Sequence, residues 1–202
     1  MRVLVACECS GIVRDAFILS GHDAISCDVL PSELPGPHIQ DDVRHVLGCG
    51  AWQFDLMIAH PDCTYLCSSG LHWNKRVAGR GDKTEGALDF VRLLMAAPIP
   101  RIAIENPIGR INTAIRKPDQ YIQPYEYGHD ASKRTGLWLK NLDTLKPTKY
   151  IEPRIVAGKP RWANQTDSGQ NKLGPSDTRA MDRARTYPGI ANAMAQQWGK
   201  PY

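Results

Sequence analysis

Short apolar runs that stop at polar or small residues recur along this chain and set its organisation. Val3 to Ala6 leads into Cys7-Glu8-Cys9-Ser10-Gly11, and Ile12 to Leu19 then has helical spacing that Gly21 closes. Ala24 to Cys27 forms a second short run, with Asp28 directly after it. Leu56 to Ala59 is too short for a helix and lacks helical spacing, so it reads as a strand covered on both faces, as in a parallel sheet. Thr84 to Ala97 places Ala87, Leu88, Val91, Leu94 and Met95 on one helical face with Thr84 as its cap, and Pro98-Ile99-Pro100 hands over to a strand across Arg101 to Pro107. Tyr187 to Trp198 reads as a closing helix with Ile190, Met194 and Trp198 on one stripe. Strands alternating with helices through right-handed crossovers predict an α/β fold, a mostly parallel sheet flanked by helices.

The intervening stretches read as loops. Leu30 to Gln40 is rich in proline and polar residues, and Asn112 to Tyr127 is broken by Lys117-Pro118 and Gln123-Pro124. Ser68 to Lys83 combines glycines, Trp73 and the cations Lys75, Arg76, Arg80 and Lys83. Such a segment suits closure over a substrate and contact with phosphates, and equally suits an ordinary solvated loop. Gly128 to Leu139 reads as a cationic loop feeding a strand, and Pro147 to Arg185 as polar, basic loops.

Composition narrows the class. A chain of 202 residues with 42% hydrophobic content supports one good core. With no apolar run of membrane-spanning length and a first strand starting at once, a soluble cytoplasmic protein without a membrane partner is expected. The net charge of +4 is mild and compatible with nucleic acid. Five of the six cysteines fall on strands or strand ends, which favours reduced thiols over a disulfide framework. Cys7-Glu8-Cys9 and Cys63 to Cys67 lack the paired spacing of zinc knuckles, so no metal site is expected.

Candidate chemistry concentrates where two strands end. In open α/β sheets ligands bind at the carboxyl ends of strands, and Leu56 to Ala59 empties there into His60-Pro61-Asp62-Cys63. Pro61 stiffens the approach to Cys63, and the second strand ends in Glu105-Asn106 at the same edge, so a thiol and an acid face one region. Taken alone, Cys63 fits a small half-buried packing residue as well, and Asp28 fits a turn or cap.

Pro61-Asp62-Cys63 resembles the Pro-Pro-Cys loop of the cytosine-C5 DNA methyltransferases, and Glu105-Asn106-Pro107 resembles their Glu-Asn-Val motif. Asp62 and Pro107 depart from the pattern but leave the thiol and the acid in place. The order of further motifs is similar. Cys7 to Gly11 and Asp28 look like the first two motifs, although Cys9 and Ile12 replace glycines. Asp41-Asp42-Val43 resembles the acidic third, Lys133-Arg134 partly matches Gln-x-Arg-x-Arg, and Asn192 after a displaced Gly189 resembles Gly-Asn-Ala-Val.

This resemblance implies a Rossmann-like S-adenosylmethionine-dependent methyltransferase fold. It implies a cofactor site from Cys7, Glu8, Cys9, Ser10, Gly11, Asp28, Val29, Asp42, Val43, His60, Pro61 and Asn192. Cys63 would add to cytosine C6, Glu105 would be protonated or hydrogen-bonded at N3, and Lys133 or Arg134 would support O2. The implied partner is DNA, its cytosine flipped or single-stranded, contacted by Ser68, Lys75, Arg76 and Arg80. Residues 1–202 would form one catalytic domain, with a reduced, loop-rich insertion at about 145–186 in place of a target-recognition domain and a protein partner supplying specificity. Two alternatives stand beside it: a relative modifying a free nucleotide or RNA pyrimidine, and a catalytically silent nucleic-acid-binding or cofactor-binding module.

Overall fold

The computed structural model describes every residue except Ala51, Pro175, Asp177, Thr178, Pro201 and Tyr202, with the backbone alone for Arg179 and Ala180. Its elements run β1 (Arg2–Ala6), α1 (Ile12–Leu19), β2 (Asp23–Asp28), β3 (His38–Gln40), α2 (Val43–Gly48), β4 (Leu56–Ala59) and α3 (Ser68–Leu71). They continue with α4 (Arg80–Ala96), β5 (Arg101–Pro107), α5 (Arg110–Ala114), β6 (Gln120–Ile122) and β7 (Thr135–Lys140). The hairpin β8 (Arg154–Val156) and β9 (Lys159–Arg161) precedes α6 (Arg179–Ala184) and α7 (Pro188–Trp198).

Seven strands form one sheet in the order β3-β2-β1-β4-β5-β7-β6. The first five are parallel, and β7 runs antiparallel between β5 and β6. This is the Rossmann-like α/β fold implied by the methyltransferase resemblance, a mostly parallel sheet flanked by helices.

The two-residue period of the strands explains the layering. Val3, Val5, Leu56 and Ile58 face one core with Phe17 of α1 and Ile190, Met194 and Trp198 of α7. Leu4, Met57, Ile102 and Ile104 face the other, with Leu88, Val91 and Leu94 of α4. All four residues of β4 are buried, as its unbroken apolar run requires. The chain order reverses between β1 and β4, and such a switch point opens a crevice at the carboxyl ends of the strands.

Several expected loops carry structure. Residues 30–40 end in β3, residues 112–127 contain β6, and residues 147–185 contain the β8–β9 hairpin and α6. Each of these strands is three residues long, too short to display a period. The segment after Cys67 folds into α3 and a 3-10 turn over His72–Lys75. Helix α4 then starts at Arg80, so Thr84 is not its cap. Buried inside the helix, Thr84 donates to the Tyr65 carbonyl at 3.1 Å and accepts from the Asn74 amide at 2.8 Å. That side chain ties α4 to the loop that bears Cys63.

Arg14 is fully buried, which a guanidinium tolerates only with its donors satisfied. It reaches Asp15 at 2.7 Å, the Ser26 and Ser32 hydroxyls at 3.3 and 3.0 Å, and the Leu34 and Pro35 carbonyls at 3.3 and 3.1 Å. The loop between β2 and β3 is thereby pinned over α1. Among the described residues no helix is long and apolar enough to cross a membrane, and no three His, Cys, Asp or Glu side chains cluster as a metal would need.

Candidate active site

The site is built where β1, β4 and β5 end. From β5, Asn106 donates its amide to the Pro61 carbonyl at 2.7 Å and is itself buried. One bond thus joins the residue beside Glu105 to the stiff entry of the Cys63 loop. On the far side of that loop, Arg110 N donates to Leu66 O at 2.7 Å and Ser68 N to Ile108 O at 3.1 Å. Gly109 lies so close that a Cβ there would stand 1.9 Å from the Leu66 carbonyl. Its φ of 179° is ordinary extended backbone, so glycine is required by the close approach alone. From α4, Arg80 donates to the Thr64 carbonyl at 3.0 Å and stacks over the Tyr65 ring.

Within this frame Glu105 and His60 form a pair, Nδ1 to Oε2 at 2.8 Å, with side chains only 10% and 13% exposed. The Thr186 hydroxyl donates to the same carboxylate oxygen at 3.2 Å. Burial drives the Glu105 carboxyl up, but His60, assisted by Lys133 and Thr186, brings it down to about 2. Burial likewise drives the His60 imidazole down, and the bond and charge of Glu105 more than reverse it, so it ends above its ordinary 6.5. The other ring nitrogen, Nε2, is buried without a partner.

Cys63 is half-buried on the turn after Pro61. The neighbouring Cys67, burial and the charge of Asp62 push its thiol well above the ordinary range, with Lys133 opposing. Cys67 is brought down to about 5, first by Cys63 and then, against burial, by Ser69, the Gly70 amide and Arg183. Lys133 therefore acts on Cys63, Glu105 and His60 together. Its neighbour Arg134 is instead stacked 4.1 Å over the Tyr121 ring.

The β1 edge completes the crevice. Cys7 ends the strand at φ 58°, a left-handed conformation that is uncommon for a side-chain-bearing residue and turns the chain sharply. Glu8 is buried and accepts from Val13 N at 2.7 Å, Arg14 N at 3.2 Å and the Ser10 hydroxyl at 3.0 Å. A carboxylate thus occupies the anion position at the start of α1, where dinucleotide-binding folds seat a phosphate. Cys9 offers its carbonyl to Glu33 N at 2.8 Å, and Gly11 turns at φ 76°. The Cys7 thiol is driven up by burial and then by the charges of Asp28, Asp42 and Asp62, so the crevice is electronegative. This set of acceptors suits a cationic ligand and not a phosphate chain.

The remaining predicted residues are distributed as follows. Asp28 ends β2 and accepts from Leu30 N at 2.9 Å, with Val29 two-thirds exposed beside it. Asp42 caps α2 and is gripped by Arg44, which holds its carboxyl at about 2, while Val43 packs beneath. Asn192 lies on the exposed face of α7. Ser68, Lys75 and Arg76 are exposed near the Cys63 loop, Arg76 lying over Trp73. Arg80 is committed to Thr64 and Tyr65.

Cys67, Thr186 and Gly109 join the site unexpectedly, and Asn106, expected only as part of the Glu105-Asn106-Pro107 motif, ties it to Pro61. Asn106 was legible as the neighbour of Glu105, and Cys67 as one helical turn beyond Cys63. Thr186 arrives from a distant segment and carried no signal. No protein-family model matches the chain, and no curated protein matches it in sequence. Among solved structures it is similar to the crystal structure of a candidate DNA modification methyltransferase encoded within an E. coli prophage, at 14% identity and a TM-score of 0.48, covering 75% of this chain and 52% of that one. The chain spans about half the length of that protein.

Proposed function

We propose that this protein transfers a methyl group from S-adenosylmethionine to C5 of cytosine in DNA, through a covalent bond between the Cys63 sulfur and ring C6. The observation that carries this reading is the tie between Asn106 and Pro61, which fixes the Cys63 loop against the buried Glu105–His60 pair.

Cytosine C5 is a poor nucleophile, so the ring must first accept a sulfur at C6. The electron pair of the C5–C6 double bond then moves through C4 toward N3, and once C5 is methylated its proton would leave to water, the C5–H pair restoring the double bond as the C–S pair returns to the Cys63 sulfur. Glu105 would accept from the exocyclic amine, and the proton that N3 needs would be held on the imidazole of His60 and delivered through the carboxylate. The acid expected of Glu105 is in this way divided between two residues. Lys133 would support O2, a role supported by its charge acting on Cys63, Glu105 and His60. Bound S-adenosylmethionine supplies an electrophilic methyl group. The turn from Cys7 to Gly11 and the carboxylates of Asp28 and Asp42 would hold it, their negative field matching its cationic charge. A cytosine in a duplex is stacked out of reach and would have to be flipped into the site.

Labelled-methyl transfer to duplex DNA, single-stranded DNA, RNA and nucleotides tests the reading. Label is expected on DNA cytosine, lost in Cys63→Ser while cofactor binding persists. Label only on RNA or nucleotides would reassign the substrate, and no label in any pool would overturn the reading.

A further inference from the structure

Cys63 opens a single turn, which has no second turn behind it to receive its carbonyls. The carbonyls of residues 63–66 nevertheless all have donors. Cys63 O accepts from Leu66 N and Cys67 N at 3.0 and 2.9 Å, and Leu66 O accepts from Arg110 N at 2.7 Å. The two between them are met by side chains of α4: Arg80 Nη2 donates to Thr64 O at 3.0 Å, and the Thr84 hydroxyl to Tyr65 O at 3.1 Å. We infer that Arg80 is a positioning residue for the Cys63 thiol and not a contact to DNA phosphate, a role that rests on the methyltransferase reading of the same site.

The guanidinium is committed to the turn. It lies 4.8 Å from the centre of the Tyr65 ring, so one planar group holds both the carbonyl of residue 64 and the ring of residue 65. Its Nε is closed off from solvent, beyond the reach of a phosphate. Gly70 keeps the space that this bond needs, since a Cβ there would stand 3.1 Å from Thr64 O and 3.2 Å from Arg80 Nη2.

The hold originates in the core. Helix α4 packs on the sheet through Leu88, Val91 and Leu94, and Arg80 and Thr84, four residues apart near its start, face the turn together. The sheet, α4, Arg80 and the Cys63 turn thus form one rigid chain of contacts, as a reacting group requires. Lys75 and Arg76, between the turn and α4, are exposed by contrast, and phosphate contact falls to them.

Wild type, Arg80→Ala and Arg80→Lys are compared by hydrogen exchange across residues 61–71 read by mass spectrometry, by kcat and KM for methyl transfer, and by DNA affinity as a function of salt. In Arg80→Ala, exchange across the turn is expected to quicken about 5-fold or more while peptides of α7 keep wild-type rates. The kcat is expected to fall about 10-fold or more, with KM and the salt slope of DNA binding unchanged. Arg80→Lys, whose point charge cannot lie flat on the ring and reach the carbonyl together, follows Arg80→Ala. Weaker DNA binding with a salt slope reduced by about one, on an unchanged turn, would make Arg80 a phosphate contact and overturn the proposal. So would full turnover in Arg80→Lys, or exchange that quickens equally throughout the chain. Should exchange respond as expected while wild type methylates no substrate, the hold on the turn stands and the methyltransferase reading alone falls.

Discussion

Removing His60 from Glu105 offers the sharpest test of how the site is held. In His60→Asn the carboxylate keeps Thr186 but loses its charged partner inside a region that water barely reaches. Moving the Glu105 carboxyl from its ordinary 4.5 to about 2 corresponds to about 3 kcal/mol. Breaking a buried pair by removing one member typically costs about 3–5 kcal/mol, so the two scales agree. The shifts on His60 and Glu105 describe one interaction and are counted once.

The signs define a pH window. Glu105 is depressed, so its contribution is complete above pH 4.5 and is lost as pH falls toward 2. His60 is raised, so its contribution is complete below pH 6.5 and is lost as pH rises through the folded value. Both hold between pH 4.5 and 6.5. Urea unfolding of wild type, His60→Asn, Glu105→Gln and the double variant gives the coupling energy directly. At pH 5.5 the expected coupling is about 3 kcal/mol, and for a chain of this size the His60→Asn melting temperature falls by about 6–12 °C. The coupling falls as pH rises through the folded value of His60, which lies above 6.5. A coupling under about 0.5 kcal/mol at pH 5.5 would refute the pairing.

Three further outcomes follow from the same geometry. Gly109→Ala drives a methyl group into the Leu66 carbonyl, and is expected to destabilise by about 1–3 kcal/mol and to slow Cys63 alkylation, whereas Gly81→Ala, with open space around it, does neither. Lys133→Ala is expected to lower kcat/KM for DNA by about 10-fold or more, with Arg134→Ala within about 3-fold of wild type, because only Lys133 acts on the site side chains. Arg14→Met leaves the loop between β2 and β3 without its anchor, and urea unfolding is expected to show a loss of about 3 kcal/mol.

The long-range plan of the molecule was legible because its signals are periodic. Val3 to Ala6, Leu56 to Ala59 and Arg101 to Pro107 are strands as read, and the α4 and α7 stripes face the sheet. Three-residue strands such as β3, β6 and β8 carry no period and passed as loops. The start of α4 was misread because Thr84 looks like a cap, whereas its hydroxyl serves a distant carbonyl. Cys63 and Glu105 were visible as residue types at strand ends. Their electrostatics were not, because the pairing of His60 with Glu105 and the influence of Cys67 on Cys63 depend on which side chains the fold brings together. Lys133 and Arg134 are adjacent in sequence and equivalent in charge, and only their placement separates them.

DNA carrying 5-fluorocytosine tests the covalent chemistry most directly, because fluorine at C5 cannot leave as a proton does and the adduct is trapped. The protein is incubated with this DNA and S-adenosylmethionine, digested, and read by mass spectrometry. A nucleotide bonded to the peptide at Cys63 is the expected product. No adduct in the presence of cofactor, or an adduct at Cys67 with Cys63 unmodified, would contradict it.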